Sequence, residues 1–187
     1  MHEADFGLSS YCLTFILSDF QSRDQIRKEN KFVFRNIVRS IVDFYPVYKQ
    51  IDATISECLI EPMFTSLKEL INDDADESDV ETAAELIIDH GKMLLKMKPG
   101  KCDGFIVALR THLCEGNFKP ATRRLILKAI DLWTYRWDNE IIPFCIKQFY
   151  EPSMQLFTNT DALSTSEILS TSEMLSESIT ERKESIV

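Results

Sequence analysis

Apolar side chains recur through most of this chain at spacings of three and four residues, the period of an amphipathic helix. Residues 119–137 show it most fully. Pro120 opens that segment, where a missing N–H costs nothing because the first helical donors have no partner. Leu125, Ile126, Leu127, Ala129, Ile130, Leu132 and Trp133 then form one broad apolar face, with Arg123, Arg124 and Lys128 mainly off it. The segment ends on an aromatic-basic cluster, Trp133, Tyr135, Arg136 and Trp137. A helix this apolar has to be sandwiched, so it is expected to be the last full core helix of an all-helical domain.

Upstream, Leu13, Ile16, Leu17, Phe20 and Ile26 trace a stripe from Ser10 to Lys28. A second helix is expected over 32–49, with Phe34, Ile37, Val38, Ile41, Val42, Phe44 and Tyr45 inward and Pro46 favouring a kink or stop. A third, over 53–71, turns Leu59, Ile60, Met63, Phe64, Leu67 and Leu70 inward. Pro62 inside it must either kink the helix or start its second part. The acidic connector 72–79 offers Ser78 or Asp79 to cap a fourth helix over 80–97, whose acidic start and lysine-rich end suit the helix dipole. Pro99-Gly100 breaks that helix, and a fifth over 101–114 leads to the segment described first. A short helix within 138–150 is expected to cover the final hairpin.

No period-two run bounded by turn residues marks a strand. Short connectors imply antiparallel neighbours, so the expected architecture is all-α: antiparallel helical hairpins stacked as a HEAT-like right-handed solenoid, shortened at the N-terminus. An open first hairpin would expose Tyr11, Leu13, Phe15, Leu17 and Phe20, which predicts either homodimerisation or poor solubility. Three regions follow: a frayed 1–9, a helical-repeat domain over 10–152 and a tail over 153–187. In the tail Leu163-Ser-Thr-Ser-Glu-Ile168 recurs as Leu169-Ser-Thr-Ser-Glu-Met174. A period of six fits neither helix nor heptad, and the Ser/Thr/Glu composition cannot bury a core, so disorder is expected.

Charge narrows the possible partners. A net charge of −9 and a pI near 4.9 argue against a generally basic surface that would release counterions from nucleic acid, so direct RNA contact is expected to be weak. Five scattered cysteines without a Cys-x-x-Cys pair match a reducing compartment, the cytoplasm or nucleus, and no metal or other cofactor is expected. Neither a secretory leader nor an apolar run of bilayer length is visible, so no membrane partner is expected.

The stretch Cys102-Asp-Gly-Phe-Ile-Val-Ala-Leu-Arg-Thr-His-Leu-Cys114, followed after a connector by Thr122-Arg-Arg-Leu-Ile-Leu-Lys-Ala-Ile-Asp-Leu132, resembles the last helical pair of the middle domain of eukaryotic initiation factor 4G. In that family the final core helix is an apolar run, an acidic residue beside an apolar one, then a Trp. Here those are Leu125 to Ile130, Asp131-Leu132 and Trp137. The resemblance spans roughly residues 20–150 and is nearest to small single-domain translation adaptors. It implies an armadillo-like helical fold and a non-catalytic adaptor role in mRNA translation or mRNA metabolism. The partners it implies are a DEAD-box RNA helicase, translation initiation factors or an mRNA-binding protein. The family's domain has about ten helices, whereas this chain supplies six or seven, and Tyr135-Arg136 departs from the family's usual residues.

No catalytic signature is present, and no enzyme is expected. Asp89 and His90 are adjacent on a helix and point about 100° apart, so His90 reads as a surface or capping residue. The acidic connector lacks the glycine and final glutamate of a calcium loop. Arg123, Arg124, Lys128, Arg136 and Trp137 are the candidate partner-binding residues, because Trp and Arg dominate interface hot spots. For Trp133 and Trp137 a lid on the core is the stronger reading. Ser185, Ile186 and Val187 fit a PDZ-type carboxyl-terminal ligand, which supports an alternative role as a scaffold in trafficking or signalling.

Overall fold

The computed structural model describes residues 3–150, with side chains from Ser10 onward. Its elements are α1 (Glu3–Gln21), α2 (Arg23–Glu29), α3 (Lys31–Ile51), α4 (Ala53–Glu57), α5 (Ile60–Leu70), α6 (Glu77–Met97), α7 (Pro99–Glu115), α8 (Pro120–Thr134) and α9 (Phe144–Tyr150). No strand occurs among the described residues. The chain divides into two compact units at Ile142, and α1–α8 belong to the first. The expected 153–187 tail lies outside the described residues, and the expected frayed 1–9 overlaps the start of α1.

Capping chemistry sets most boundaries. Asn30 accepts from the Val33 N–H to start α3, and Asp52 accepts from Thr54 and Ile55 to start α4. α6 begins three residues earlier than its apolar pattern indicates. Its N-cap is Asp76 and not Ser78 or Asp79, and Asp76 and Asp79 form a reciprocal capping box. Pro62 lies in the first turn of α5, where its missing donor has no intrahelical partner. The expected third helix is therefore two, α4 and α5. Pro46 does not stop α3, which continues to Ile51. Tyr45 and Tyr48 are buried on either side of it, and their packing holds that turn together. Pro99 takes the first position of α7 rather than lying outside it.

Successive helices pair as hairpins: α1 with α3, α5 with α6, and α7 with α8. Side-chain links between hairpins keep a nearly constant sequence offset. Arg35 reaches Asp79, Arg39 reaches Glu85 and His90 reaches Asp43, which places α3 and α6 side by side and parallel. Glu77 meets Thr122 and Ile88 meets Trp137, so α6 and α8 run parallel too. Lys101 on Glu61 and His112 on the Ile71 carbonyl do the same for α7 and α5. All these offsets lie between 40 and 49 residues. The result is two layers, α3–α6–α8 and α1–α5–α7.

The enclosed helix is α6, not α8. Nine α6 positions are buried, among them Val80, Ala83, Ala84, Ile87, Gly91 and Leu94, against four in α8: Thr122, Ile126, Ala129 and Ile130. The small residues of α6 let its neighbours approach on several sides, while α8 buries only one face and leaves Leu127 exposed. Phe34, Ile41, Met63, Phe64, Leu67, Ile106 and Leu109 complete a continuous core.

Candidate functional site

Helix α8 ends in a Schellman turn. The Arg136 N–H donates to the Trp133 carbonyl at 3.0 Å and the Trp137 N–H to the Leu132 carbonyl at 2.8 Å. Glycine is usual at the first of these left-handed positions, yet Arg136 and Trp137 hold φ of 53° and 54°. Such strain persists only where surrounding contacts over-determine it. Here the contact is Trp137. Its indole lies against Gly91 of α6, and its Nε1–H donates to the Ile88 carbonyl at 3.1 Å. A Cβ on Gly91 would overlap the indole, so the glycine is needed for this approach.

The same turn brings the Arg136 guanidinium to 5.1 Å from the Trp133 ring centre, and Arg110 of α7 stands 5.4 Å from that ring. The Trp133 Nε1–H donates to Asp103 at 3.0 Å, which fixes the ring along α7. Arg110 and Arg136 are exposed. A guanidinium held over an aromatic ring still has N–H donors to offer a carboxylate. The α7–α8 edge therefore combines a half-buried indole with two exposed cations. Arg110 carries no sequence signal of its own, because it becomes part of the cluster only through the hairpin pairing.

The other sequence candidates separate. Arg123 donates to the Gly116 and Phe118 carbonyls at 3.1 and 3.2 Å, tying down the α7–α8 loop. Arg124 is exposed and Lys128 half-buried on α8. Trp137 belongs to the α6–α8 contact. Ser185, Ile186 and Val187 lie outside the described residues.

Two titratable clusters bind hairpin to hairpin. Asp79 is fully buried, paired with Arg35 at 2.9 Å and Lys31 at 3.3 Å. Burial works against the charge on Asp76, but the Asp79 backbone N–H, Lys31 and Arg35 outweigh it and hold that carboxyl below its ordinary value. The Lys119 backbone N–H, with the Thr122 hydroxyl, likewise lowers Glu77. Cys102 is pushed up to about 11 by burial and by Asp103, so it stays a protonated packing group. Among the described residues no three His, Cys, Asp or Glu side chains gather to hold a metal, and no helix is long and apolar enough to cross a membrane.

A second, unlike surface lies on the first hairpin. Tyr11 and Phe15 of α1 and Phe32, Val33, Phe44 and Val47 of α3 are all exposed. Leu13, Leu17 and Phe20, expected to join the exposed set, instead pack partly against the core. Between α1 and α3 runs a groove of about 300 Å³ lined by Cys12, Phe15, Ile16, Val33, Ile37 and Phe44, with Asp19 the only charged group among its described residues. The α3 contribution had a sequence signal: this helix carries an apolar face wider than one neighbour covers.

Searches against models of protein families, curated proteins and solved structures return no match to this chain.

Proposed function

We propose that this chain is a non-catalytic, protein-binding adaptor in mRNA translation or mRNA metabolism, built as a HEAT-like stack of three hairpins. The offsets of 40 to 49 residues between linked side chains support the repeat reading, since HEAT and armadillo units span about 40–47 residues. The resemblance of residues 102–137 to the last helical pair of the initiation factor 4G middle domain supports the cellular role.

One observation carries the reading: the Arg110–Trp133–Arg136 stack, which displays hot-spot side chains on an otherwise acidic protein. The partner it fits is a protein presenting carboxylates: a DEAD-box RNA helicase, a translation initiation factor or an mRNA-binding protein. Net charge of −9 makes a bare RNA backbone the poorer ligand.

Affinity capture from lysate, with and without RNase, tests this when wild type is compared with the Arg110→Glu/Arg136→Glu double variant. Wild type should retain translation or mRNA-processing factors after RNase treatment, and the double variant should lose at least tenfold of them. Retention of no such factor, or equal retention by both proteins, overturns the proposal.

A further inference from the structure

We infer that the α1–α3 face is covered by a second copy of this chain in a two-fold dimer. The apolar area suits it. An aromatic side chain offers about 150–250 Å². At exposures of 70% for Tyr11, 69% for Phe15, 63% for Phe32 and 39% for Phe44, these four leave on the order of 500 Å² of apolar surface. A standard interface takes about 800 Å² from each partner, of which roughly 450 Å² is non-polar. The two helices that form the groove supply that area, Phe15 and Phe44 within its lining and Tyr11 and Phe32 outside it.

The charges suit it as well. A chain of net charge −9 should repel its copy, but among the described residues the groove holds one charged side chain, Asp19. Of the charges flanking it on α3, Arg39 is ion-paired with Glu85 at 2.7 Å and Asp43 is hydrogen-bonded to His90 at 2.8 Å within the chain. Two such faces meet with those flanking charges already held by partners within each chain.

Width selects a second copy over a single docked helix. A helix from another protein would fill the groove between α1 and α3, yet Tyr11, Phe32 and Val47 stand outside the groove lining. A two-fold pairing presents the same ridge and groove on both sides, so Phe15 and Phe44 of each copy enter the other's groove while the flanks close over them.

Sedimentation equilibrium of the full chain tests this. Wild type should sediment at twice 21.6 kDa, with a dissociation constant of about 1–10 μM. Phe15→Glu/Phe44→Glu should sediment at 21.6 kDa with an unchanged far-UV circular dichroism spectrum. Tyr11→Glu/Val47→Glu, outside the groove, should weaken association at least tenfold. Arg110→Glu/Arg136→Glu should dimerise as wild type does, which separates this inference from the adaptor reading. A wild-type monomer at about 100 μM, tenfold above the expected constant, overturns it. So does a dimer that all these substitutions leave intact, or a monomer that uses Phe15 and Phe44 to bind an amphipathic peptide or lipid vesicles.

Discussion

The first hairpin ends on bare phenyl rings, whereas the last ends on an indole folded back into the body. In α3, Phe34, Val38, Ile41 and Tyr45 bury one side, while Val33, Phe44 and Val47 stay exposed on another. α8 has a narrower apolar face and a left-handed turn that returns Trp137 to α6. A helix that is apolar on two faces is unfinished without a covering layer. A helix that turns back on its own fold finishes itself. Fastening differs too: α3 is tied to α6 along its length by the Arg35 and Arg39 ion pairs and the His90–Asp43 hydrogen bond, while α8 is tied at its start by Glu77 on Thr122 and at its end by the fit of Trp137 against Gly91.

The largest effect should come from removing the buried charge beneath the first hairpin. Asp79→Ala removes the nearer partner of Arg35, which is only 15% exposed and keeps Asp76 at 3.5 Å, and should cost about 3 kcal/mol in urea unfolding. The amides of α3 should lose hydrogen-exchange protection well before those of α8. Equal loss in both would mean that the two ends are not fastened separately.

Gly91→Ala inverts the experiment. Alanine is the better helix former by about 1 kcal/mol, so a gain is expected where space is free. Overlap with Trp137 should reverse the sign and destabilise the protein by about 1–3 kcal/mol. A variant that melts higher than wild type would refute the packing lock.

The smallest effect is the response to acid. Asp76 and Glu77 titrate below their ordinary values of 3.8 and 4.5 in the folded protein. Their contribution is therefore present above those values and is lost as pH falls through the lower folded ones. Between about pH 5 and pH 3 the Asp76 contribution should fall by roughly 1 kcal/mol or less, since Asp76 is partly solvated. Asp76→Asn should flatten that part of a plot of melting temperature against pH. An unchanged slope would remove Asp76 from the fastening of the first hairpin.

Most helices were legible in the spacing of apolar residues, because three- and four-residue periodicity reports a buried face directly. The enclosure of α6 was not. Its Ala83, Ala84 and Gly91 read as weakly apolar, and their value lies in the close approach they allow. The start of α6 was displaced by three residues because several acids in the connector can all cap, and only the partner Arg35 selects Asp79 for burial. At the α7–α8 edge, Arg136 and Trp133 were visible as a cluster. Arg110 was not, since it lies more than twenty residues away and joins them only when the hairpin closes. The left-handed turn was hidden because arginine stands where glycine usually signals it.

Both tryptophans of the chain, Trp133 and Trp137, belong to the last hairpin. Intrinsic fluorescence is thus a local gauge of that end, reporting an indole between two guanidinium groups and another against a helix backbone. The backbone signal in the far ultraviolet, by contrast, averages over every hairpin. Superimposing the two transitions measures how strongly the layers melt together, and the distance between them is the mechanical slack of the stack.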